Sequence, residues 1–251
     1  MIIMGILNVT PDSFADGGRH NSLEAAVMRG KQMISEGVDI IDIGGESTRP
    51  GAERVSEAEE LSRVIPVITE LSKLGVTISI DTMRASTARA AVLAGAHIIN
   101  DVSGGLADPE MLATAADLNT PYIAMHWRGQ SKDMNSLANY DNVVRDVAHE
   151  LQERIAAALE AGISNNNLII DPGLGFAKNA VHNWEIIDNI DVFVDLGYRV
   201  LVGGSRKRFL GADTPDERES ASIALTKRLG TSRIWGVRVH SVKPHKDVLS
   251  A

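Results

Sequence analysis

Acidic, amide and basic side chains recur in this sequence directly after short apolar runs. Asp81 and Asp171 each follow such a run, Asn100 follows another, and Arg238 and His240 alternate with a valine at the end of the last one. A carboxylate accepts two N–H groups and an amide both donates and accepts, so the first three could bind the edge of an amino-pyrimidinone ring. Any one of them alone could equally be a turn residue or a helix cap. Together they favour a ligand site.

A second set of side chains supplies positive charge, namely Arg49, Lys207, Arg238 and His240. Arginine and lysine suit phosphate, and a leaving pyrophosphate needs several such partners to stabilise its developing charge. A solvated surface position is the alternative for each of them. That alternative is weak for Arg238 and His240, because they project to one side from the end of an apolar run.

Other residues indicate what the ligand is and what it is not. Phe176 and Met125 could sandwich a flat heterocycle, although core packing is the commoner fate of such side chains. The glycine-rich turns at 100–105 and 203–207 match neither a Walker A nor a dinucleotide fingerprint. The histidines lack the HExxH spacing of a zinc site, whereas Mg²⁺ could share substrate phosphates with an oxygen ligand such as Asn8.

The elements that must position these residues alternate along the chain. Most strand candidates are apolar throughout, as in parallel strands covered on both faces; they are residues 2–7, 38–43, 76–80, 97–99, 122–125, 168–170, 199–202 and 234–239. Helical patterns lie between them at residues 22–35, 56–73, 85–94, 142–161 and 217–229. Eight such units predict an α/β fold, a single (β/α)8 TIM barrel with its active site at the C-terminal ends of the strands. An open doubly wound sheet is the alternative.

Length and composition narrow the class further. The 251 residues suit one barrel domain spanning 1–251, and the net charge of −8 argues against a nucleic-acid or anionic-membrane partner. The absence of cysteine excludes disulfides and thiolate chemistry. No basic leader and no apolar run of about 20 residues is visible, so we expect a cytoplasmic protein. Long connections after the first, second and fifth strands suit lids over a substrate.

The motifs, taken in order, carry a resemblance. They are MGILNVTPDSF at 4–14, GGESTRPGA at 44–52, SIDT at 79–82, NDVSGG at 100–105, MHWRG at 125–129, DPGLGF at 171–176, GGSRKRFLG at 203–211 and GVRVH at 236–240. With these, the sequence resembles the dihydropteroate synthases, the pterin-binding enzymes of folate biosynthesis that sulfonamides target. The resemblance covers essentially the whole chain, and eight motifs in the right order are highly specific.

The resemblance implies a reaction and a set of site residues. It implies condensation of 6-hydroxymethyl-7,8-dihydropterin pyrophosphate with 4-aminobenzoate, Mg²⁺ as cofactor near Asn8, and a homodimer. The pterin pocket then falls on Asp81, Asn100, Val102, Met125, Asp171, Phe176, Gly203 and Lys207. The pyrophosphate site falls on Asn8, Arg49, Arg238 and His240, and the aminobenzoate site on Phe14, Thr48, Arg49, Pro50 and Lys207, with Asp12 and Asp16 in the first loop. Catalytic roles are expected for Lys207, Asp81, Asp171, Arg238 and His240.

One departure from the family and two rival functions stay open at this point. Ser241 stands where the family usually has aspartate after its RVH triplet, which questions the support of His240. A folate-dependent methyltransferase would share the pterin residues but needs no pyrophosphate site, and a non-catalytic paralogue would bind pterin or no useful ligand. Glu46 and Asp101 could either touch a ligand or support loops.

Overall fold

A computed structural model describes residues 1–10, 18–46, 54–129 and 136–250 of the chain, without the side chains of 18–22. Its strands are β1 (Ile2–Asn8), β2 (Ile40–Gly44), β3 (Thr77–Asp81), β4 (Ile98–Asp101), β5 (Tyr122–Met125), β6 (Leu168–Asp171), β7 (Arg199–Val202) and β8 (Gly236–Val239). They pair in sequence order, all parallel, and β8 closes on β1. The structure therefore confirms the predicted barrel and excludes the open sheet.

Side chains alternate along each strand between the barrel interior and the surrounding helices. The interior holds an apolar layer composed of Met4, Ile40, Ile98, Ile123, Ile169 and Leu201. The neighbouring positions, such as Ile3, Ile41 and Ile99, belong to the larger core between strands and helices. Because both faces are covered by apolar side chains, the strands read as continuous hydrophobic runs instead of alternating ones.

The helices that follow the strands are α1 (Gly18–Ser35), α2 (Glu57–Ser72), α3 (Ala85–Leu93), α4 (Met111–Asp117), α5 (Val143–Glu160), α6 (Ala180–Asp188), α7 (Ile190–Val194), α8 (Glu219–Leu229) and α9 (Lys243–Ser250). The five helices predicted from the sequence are confirmed with shifted ends. Side chains of Ser56 and Asn142 accept from backbone N–H groups and begin α2 and α5. The prediction missed α4, α6, α7 and α9, which have at most nine residues each.

The connections after β1, β2 and β5 are long, as predicted, and run over residues 9–17, 45–56 and 126–142. Parts of all three lie outside the described ranges. Within the part of the chain that the structure describes, no helix has the length and apolar character needed to cross a membrane.

Candidate active site

Polar side chains occupy the inward positions just above the apolar layer of the barrel. Asp42, Asn100 and Asp171 each come two residues after a member of that layer, namely Ile40, Ile98 and Ile169. With a side-chain period of two, those three positions face the same interior. Asp81 pairs in register with Asn100 and with Gly44 on its two sides. The predicted gathering of Asp81, Asn100 and Asp171 at one mouth is confirmed.

Arg238 links two of these carboxylates. Its Nε donates to Asp42 Oδ2 and its Nη2 donates to Asp81 Oδ2, both at 2.6 Å. Asp42 is completely buried, and it also accepts from Asn100 Nδ2 at 3.0 Å. An arginine bound through two nitrogens is held in a fixed orientation. Nη1 is the guanidinium nitrogen for which no contact with Asp42 or Asp81 is seen.

Burial shifts the protonation of the two carboxyl groups that the sequence singled out. Burial raises the pKa of Asp81 to about 7, against the opposing effect of Arg238, and the nearby charge of Asp42 raises it further. Burial also raises the pKa of Asp171, an effect opposed by the positive charge of Lys207 and by the backbone N–H of Gly173. Carboxyl groups with shifted pKa values in a cleft are typical of functional sites.

Lys207 occupies the mouth between Asp171 and an aromatic ring. Burial lowers the pKa of Lys207 to about 8, although Asp171 favours its charged form. Its ammonium donates to the carbonyl of Leu174 and lies 4.5 Å from the centre of the Phe176 ring. A cation above a ring is stabilised by the ring's negative face. The side chain therefore joins the predicted anion site to the predicted heterocycle site.

A small apolar cluster borders the polar groups. Met83, Val102 and Met125 are buried together, and Phe176 packs against them. This agrees with the predicted placement of Val102, Met125 and Phe176, while Met83 was not predicted. Such a wall beside convergent polar groups suits a flat ring with a polar edge.

Gly203 directly follows β7 and lies next to the carboxylate of Asp171. A Cβ built at Gly203 would lie 3.6 Å from Asp171 Oδ2 and 4.0 Å from Cβ of Arg238, which are ordinary contact distances. The glycine is therefore not required by local packing. Its missing side chain keeps open the space in front of Asp171 and Arg238.

The turn after β6 is fixed by a buried lysine that the sequence analysis did not identify. Lys178 Nζ contacts the carbonyl oxygens of Gly173 and Phe176, each at 3.0 Å. Gly173 has a φ of 68°, and a Cβ there would lie 2.4 Å from the carbonyl oxygen of His126. No other residue fits at Gly173 without moving the backbone that carries Asp171.

Ser205 supports His240, although Ser241 stands where the family usually has an aspartate. The hydroxyl of Ser205 lies 3.1 Å from His240 Nδ1 and accepts from the backbone N–H of His240 at 3.3 Å. Ser241 instead donates to Glu219 on α8. The serine at position 241 therefore belongs to a contact between the segment after β8 and α8, and the imidazole contacts a hydroxyl from the segment after β7.

Glu46 and Asp101 hold loops in this structure. Glu46 accepts from Arg54 and Arg84, and from the backbone N–H of Val55. Asp101 accepts from side chains and backbone groups of its own loop and from β5, namely Ser103, Gly105 and Tyr122. These bonds use the carboxylate oxygens within the protein, so loop support accounts for both residues.

Asn8 is the described residue to which the sequence assigns Mg²⁺. It ends β1 and pairs in register with Gly44, so it lies at the same end of the barrel as Asp81. Among the described residues, no group of three or more His, Asp or Glu side chains could hold a metal ion. The donors fit a Mg²⁺ that takes one protein oxygen and fills its other positions with phosphate oxygens and water.

Several predicted residues lie outside the described part of the chain. They are Asp12, Phe14 and Asp16 of the first loop and Thr48, Arg49 and Pro50 of the second. The assignments of these residues to the aminobenzoate and pyrophosphate sites remain predictions.

The structure also adds Asp42 to the site, a residue that the sequence analysis passed over. The signal was present, since Asp42 is the one charged residue of the run IIDIG and precedes Gly44 by two positions. A charged side chain at that spacing faces the barrel interior.

Comparisons with known proteins agree with this geometry. The family model described as pterin binding enzyme matches residues 4–240. The dihydropteroate synthase of Bacillus subtilis (strain 168) is 49% identical over 246 residues, which cover 96% of this chain and 84% of that protein. The dihydropteroate synthase of Mycobacterium leprae (strain TN) is 46% identical over 257 residues, covering 98% and 90%.

Solved structures give the same result. Dihydropteroate synthase of Xanthomonas albilineans with 4-aminobenzoic acid matches with a TM-score of 0.93 at 44% identity, covering 99% of this chain and 90% of that chain. The same enzyme in complex with 7,8-dihydropteroate matches with a TM-score of 0.90 at 41% identity, covering 99% and 91%. This chain therefore belongs to the dihydropteroate synthase family of pterin-binding enzymes.

Proposed function

We propose that the mouth of the barrel is the site where this enzyme condenses 6-hydroxymethyl-7,8-dihydropterin pyrophosphate with 4-aminobenzoate. The products are 7,8-dihydropteroate and pyrophosphate, a step of folate biosynthesis. The observation that carries the assignment is the convergence of Asp81, Asn100 and Asp171 beside the cluster of Met83, Val102 and Met125. Hydrogen-bond acceptors beside an apolar wall match a flat amino-pyrimidinone.

The pterin ring lies against this wall in our proposal. Asp171 and Asn100 bind the amino-pyrimidinone edge, and Asp81 binds a further N–H of the reduced ring. Phe176 and Lys207 cover the ring, supported by the short distance between the lysine ammonium and the aromatic ring. Gly203 leaves room for the ring next to Asp171.

The pyrophosphate lies toward the positive side chains of the same mouth. Lys207, Arg238 and His240 are the described members of this group, and Arg49 is the member assigned by sequence. Since Asp42 and Asp81 bind Nε and Nη2 of Arg238, the Nη1 group is the part directed to a phosphate oxygen. Aminobenzoate then occupies the outer part of the site, bound by Phe14, Thr48, Arg49, Pro50 and Lys207.

Mg²⁺ bound at Asn8 would neutralise charge on the pyrophosphate while the bond to carbon breaks. The residues present fit that role because the ion needs only one or two protein oxygens when phosphate supplies the others. A chelator should therefore slow turnover, and added Mg²⁺ should restore it.

The proposed reaction follows from the positions of the charged side chains, which are positive near the pyrophosphate and acidic around the pterin ring. The C–O bond between the exocyclic carbon and the pyrophosphate breaks, and its electron pair leaves with the pyrophosphate. The electron-rich dihydropterin supports the positive charge on that carbon, and the acidic groups around the ring stabilise it. The arylamine nitrogen then bonds to the carbon and loses a proton. No covalent enzyme intermediate is formed, so trapping a pterin on any side chain would refute this mechanism.

We also propose one domain over residues 1–251, a homodimer and a cytoplasmic location, with no nucleic-acid or membrane partner. The homodimer is what the resemblance to the family implies. The net charge of −8 supports the absence of polyanionic partners. Light scattering on the purified chain tests the dimer directly.

The deciding experiment is pyrophosphate release from the purified protein with dihydropterin pyrophosphate and Mg²⁺, with and without 4-aminobenzoate. Release that requires the arylamine and matches dihydropteroate formation is the expected result. Tight pterin binding without release would instead favour a folate-dependent methyltransferase or a non-catalytic paralogue. The variant Arg238→Ala tests the anion site, since it should abolish both turnover and any effect of pyrophosphate on aminobenzoate binding.

A further inference from the structure

One buried carboxylate lies below the pocket and contacts two of its polar groups. Asp42 Oδ2 accepts from Asn100 Nδ2 at 3.0 Å and from Arg238 Nε at 2.6 Å. The side chain is 0% exposed and lies one inward position deeper than Asp81, which pairs in register with Gly44. Asp42 is therefore too deep to meet a ligand, and its effect on one must pass through its neighbours.

The contact with Asn100 decides which way that amide faces. An asparagine amide can turn by 180° and exchange its donor for its acceptor, because the two ends have nearly the same shape. An ionised carboxylate only accepts hydrogen bonds, so Asp42 requires the Nδ2 end of Asn100 on its side. The carbonyl oxygen Oδ1 is then the end of the amide that a ligand N–H can meet.

Arg238 contacts the same oxygen of Asp42 as Asn100 does and shows which role that oxygen takes. A guanidinium stays protonated in proteins. Arg238 Nε lies 2.6 Å from Asp42 Oδ2, the same oxygen that Asn100 contacts. Because a guanidinium only donates hydrogen bonds, Asp42 Oδ2 is an acceptor in this contact, and the same oxygen therefore accepts from Asn100 as well. The pair therefore gives the floor of the pocket a fixed polarity.

We propose that Asp42 is a positioning and specificity-determining residue that fixes Asn100 with its carbonyl oxygen toward the pterin. The pocket then selects a ring that carries an amino group at this edge over one that carries a carbonyl there. This inference rests on the proposed function and deepens it, because it explains how an amide becomes selective for one pattern of hydrogen-bond donors and acceptors on the ring.

The test measures binding of two stable rings, 6-hydroxymethylpterin and the corresponding lumazine, in which a carbonyl replaces the 2-amino group. The wild-type protein should prefer the pterin, and Asp42→Asn should reduce that preference by about tenfold, since an amide partner permits both orientations of Asn100. The matched control is Ser79→Ala, which alters a buried inward side chain in register with Asp42 and should keep the preference.

A second pair of variants tests whether Asp42 orients the amide of Asn100 or only neutralises the charge of Arg238. Asn100→Asp places two carboxylates at the 3.0 Å contact and should weaken pterin binding by about 100-fold. Combining Asn100→Asp with Asp42→Asn exchanges amide and carboxylate, restores a donor between positions 42 and 100, and should recover at least about tenfold of that loss. If Asp42 served only to neutralise Arg238, the double variant would bind no better than Asn100→Asp.

The outcomes also separate this inference from the proposed function. A wild-type protein that binds neither ring contradicts the proposed function itself. A wild-type preference for pterin that survives unchanged in Asp42→Asn, together with no recovery in the double variant, overturns the role of Asp42 and leaves the proposed function standing. Should Asp42→Asn alone fail to fold, the comparison of the double variant with Asn100→Asp decides the matter.

Discussion

Lys178 Nζ lies 2.8 Å from Nδ1 of His126, and both side chains are buried. On the other side of the imidazole, Nε2 lies 2.9 Å from a carboxylate oxygen of Glu150. Since Glu150 can only accept, Nε2 carries the single proton of a neutral His126, and Nδ1 accepts from the lysine. The lysine also contacts the carbonyls of Gly173 and Phe176. This chain of bonds connects α5 to the turn that carries the aromatic ring.

Replacing Lys178 with methionine should therefore loosen that turn. The two carbonyl oxygens and the imidazole lose their donor, and we expect the free energy of unfolding to fall by about 2–4 kcal/mol. Urea denaturation measures this loss, and pterin affinity should fall with it because Phe176 is no longer fixed. The matched control is Lys73→Met on the exposed end of α2, which should change stability by less than about 0.5 kcal/mol. Equal effects in both variants would contradict the assignment.

The same contact makes stability depend on pH through His126. Burial lowers the pKa of His126 to about 4, and the charge of Lys178 adds to the shift. The ordinary pKa of histidine is about 6.5. Between about pH 4 and pH 6.5, therefore, His126 is protonated in the unfolded chain but not in the folded chain. This contribution to stability is present above about pH 6.5 and is lost as the pH falls toward 4.

The raised pKa of Asp81 acts in the opposite direction, because there the folded chain binds the proton more tightly. Comparison with His126→Asn cancels that opposing effect. The free energy of unfolding of the wild type should fall by about 2 kcal/mol more than that of the variant between pH 7 and pH 5. Parallel curves for the two proteins would show that His126 binds its proton equally well in the folded and unfolded chain.

Activity should follow a bell-shaped dependence on pH. The rate constant kcat/KM should rise as Asp81 loses its proton near pH 7 and fall as Lys207 loses its proton near pH 8, because binding needs an acceptor and a cation. The variant Lys207→Arg keeps its charge over this whole range, so the decline on the alkaline side should disappear even though the rate is lower. Persistence of the decline in that variant would assign it to another group.

The barrel and most of its mouth could be predicted from the sequence, because the polar residues of the site directly follow the apolar runs that predict the strands. Mostly apolar runs of three to six residues precede Asn8, Asp81, Asn100 and Asp171, and the structure places all four at one end of the barrel. Parallel pairing in sequence order is a general property of this fold, so the convergence of those residues followed from the strand pattern alone.

The parts that could not be predicted depend on contacts distant in sequence. Lys178 binds His126 from 52 positions away, and Asp42 meets Arg238 across 196 positions. Nothing in the local sequence distinguishes Lys178 from a surface lysine. Asp42 is less visible for a different reason, because it lies within an otherwise apolar run that as a whole predicts a buried strand. The period of two would have shown that Asp42 faces inward.

Two adjacent glycines after β7 should respond differently to the same substitution. Gly203→Ala should fold with nearly normal stability, because the added carbon meets only ordinary contacts near Asp171, but it should weaken pterin binding by filling the approach to that carboxylate. Gly204→Ala should lose about 1–3 kcal/mol of stability, since its added carbon would lie 2.6 Å from Leu225. Thermal unfolding and pterin titration of both variants measure the contrast, and reversed effects would contradict the placement of the pocket.

Ser205 and Ser241 should prove unequal in their effect on His240. Ser205→Ala removes the hydroxyl that contacts both Nδ1 and the backbone N–H of His240, and kcat/KM should fall by about tenfold at unchanged stability of the fold. Ser241→Asp introduces the residue usual in the family, but here it would face the carboxylate of Glu219.

That like-charge contact should lower the free energy of unfolding by about 1 kcal/mol and leave kcat/KM within about twofold. The effect should shrink in high salt, because the side chains of Ser241 and Glu219 are only half-buried and their repulsion is screened. A gain in kcat/KM for Ser241→Asp would mean that position 241, and not Ser205, orients the imidazole when substrate is bound.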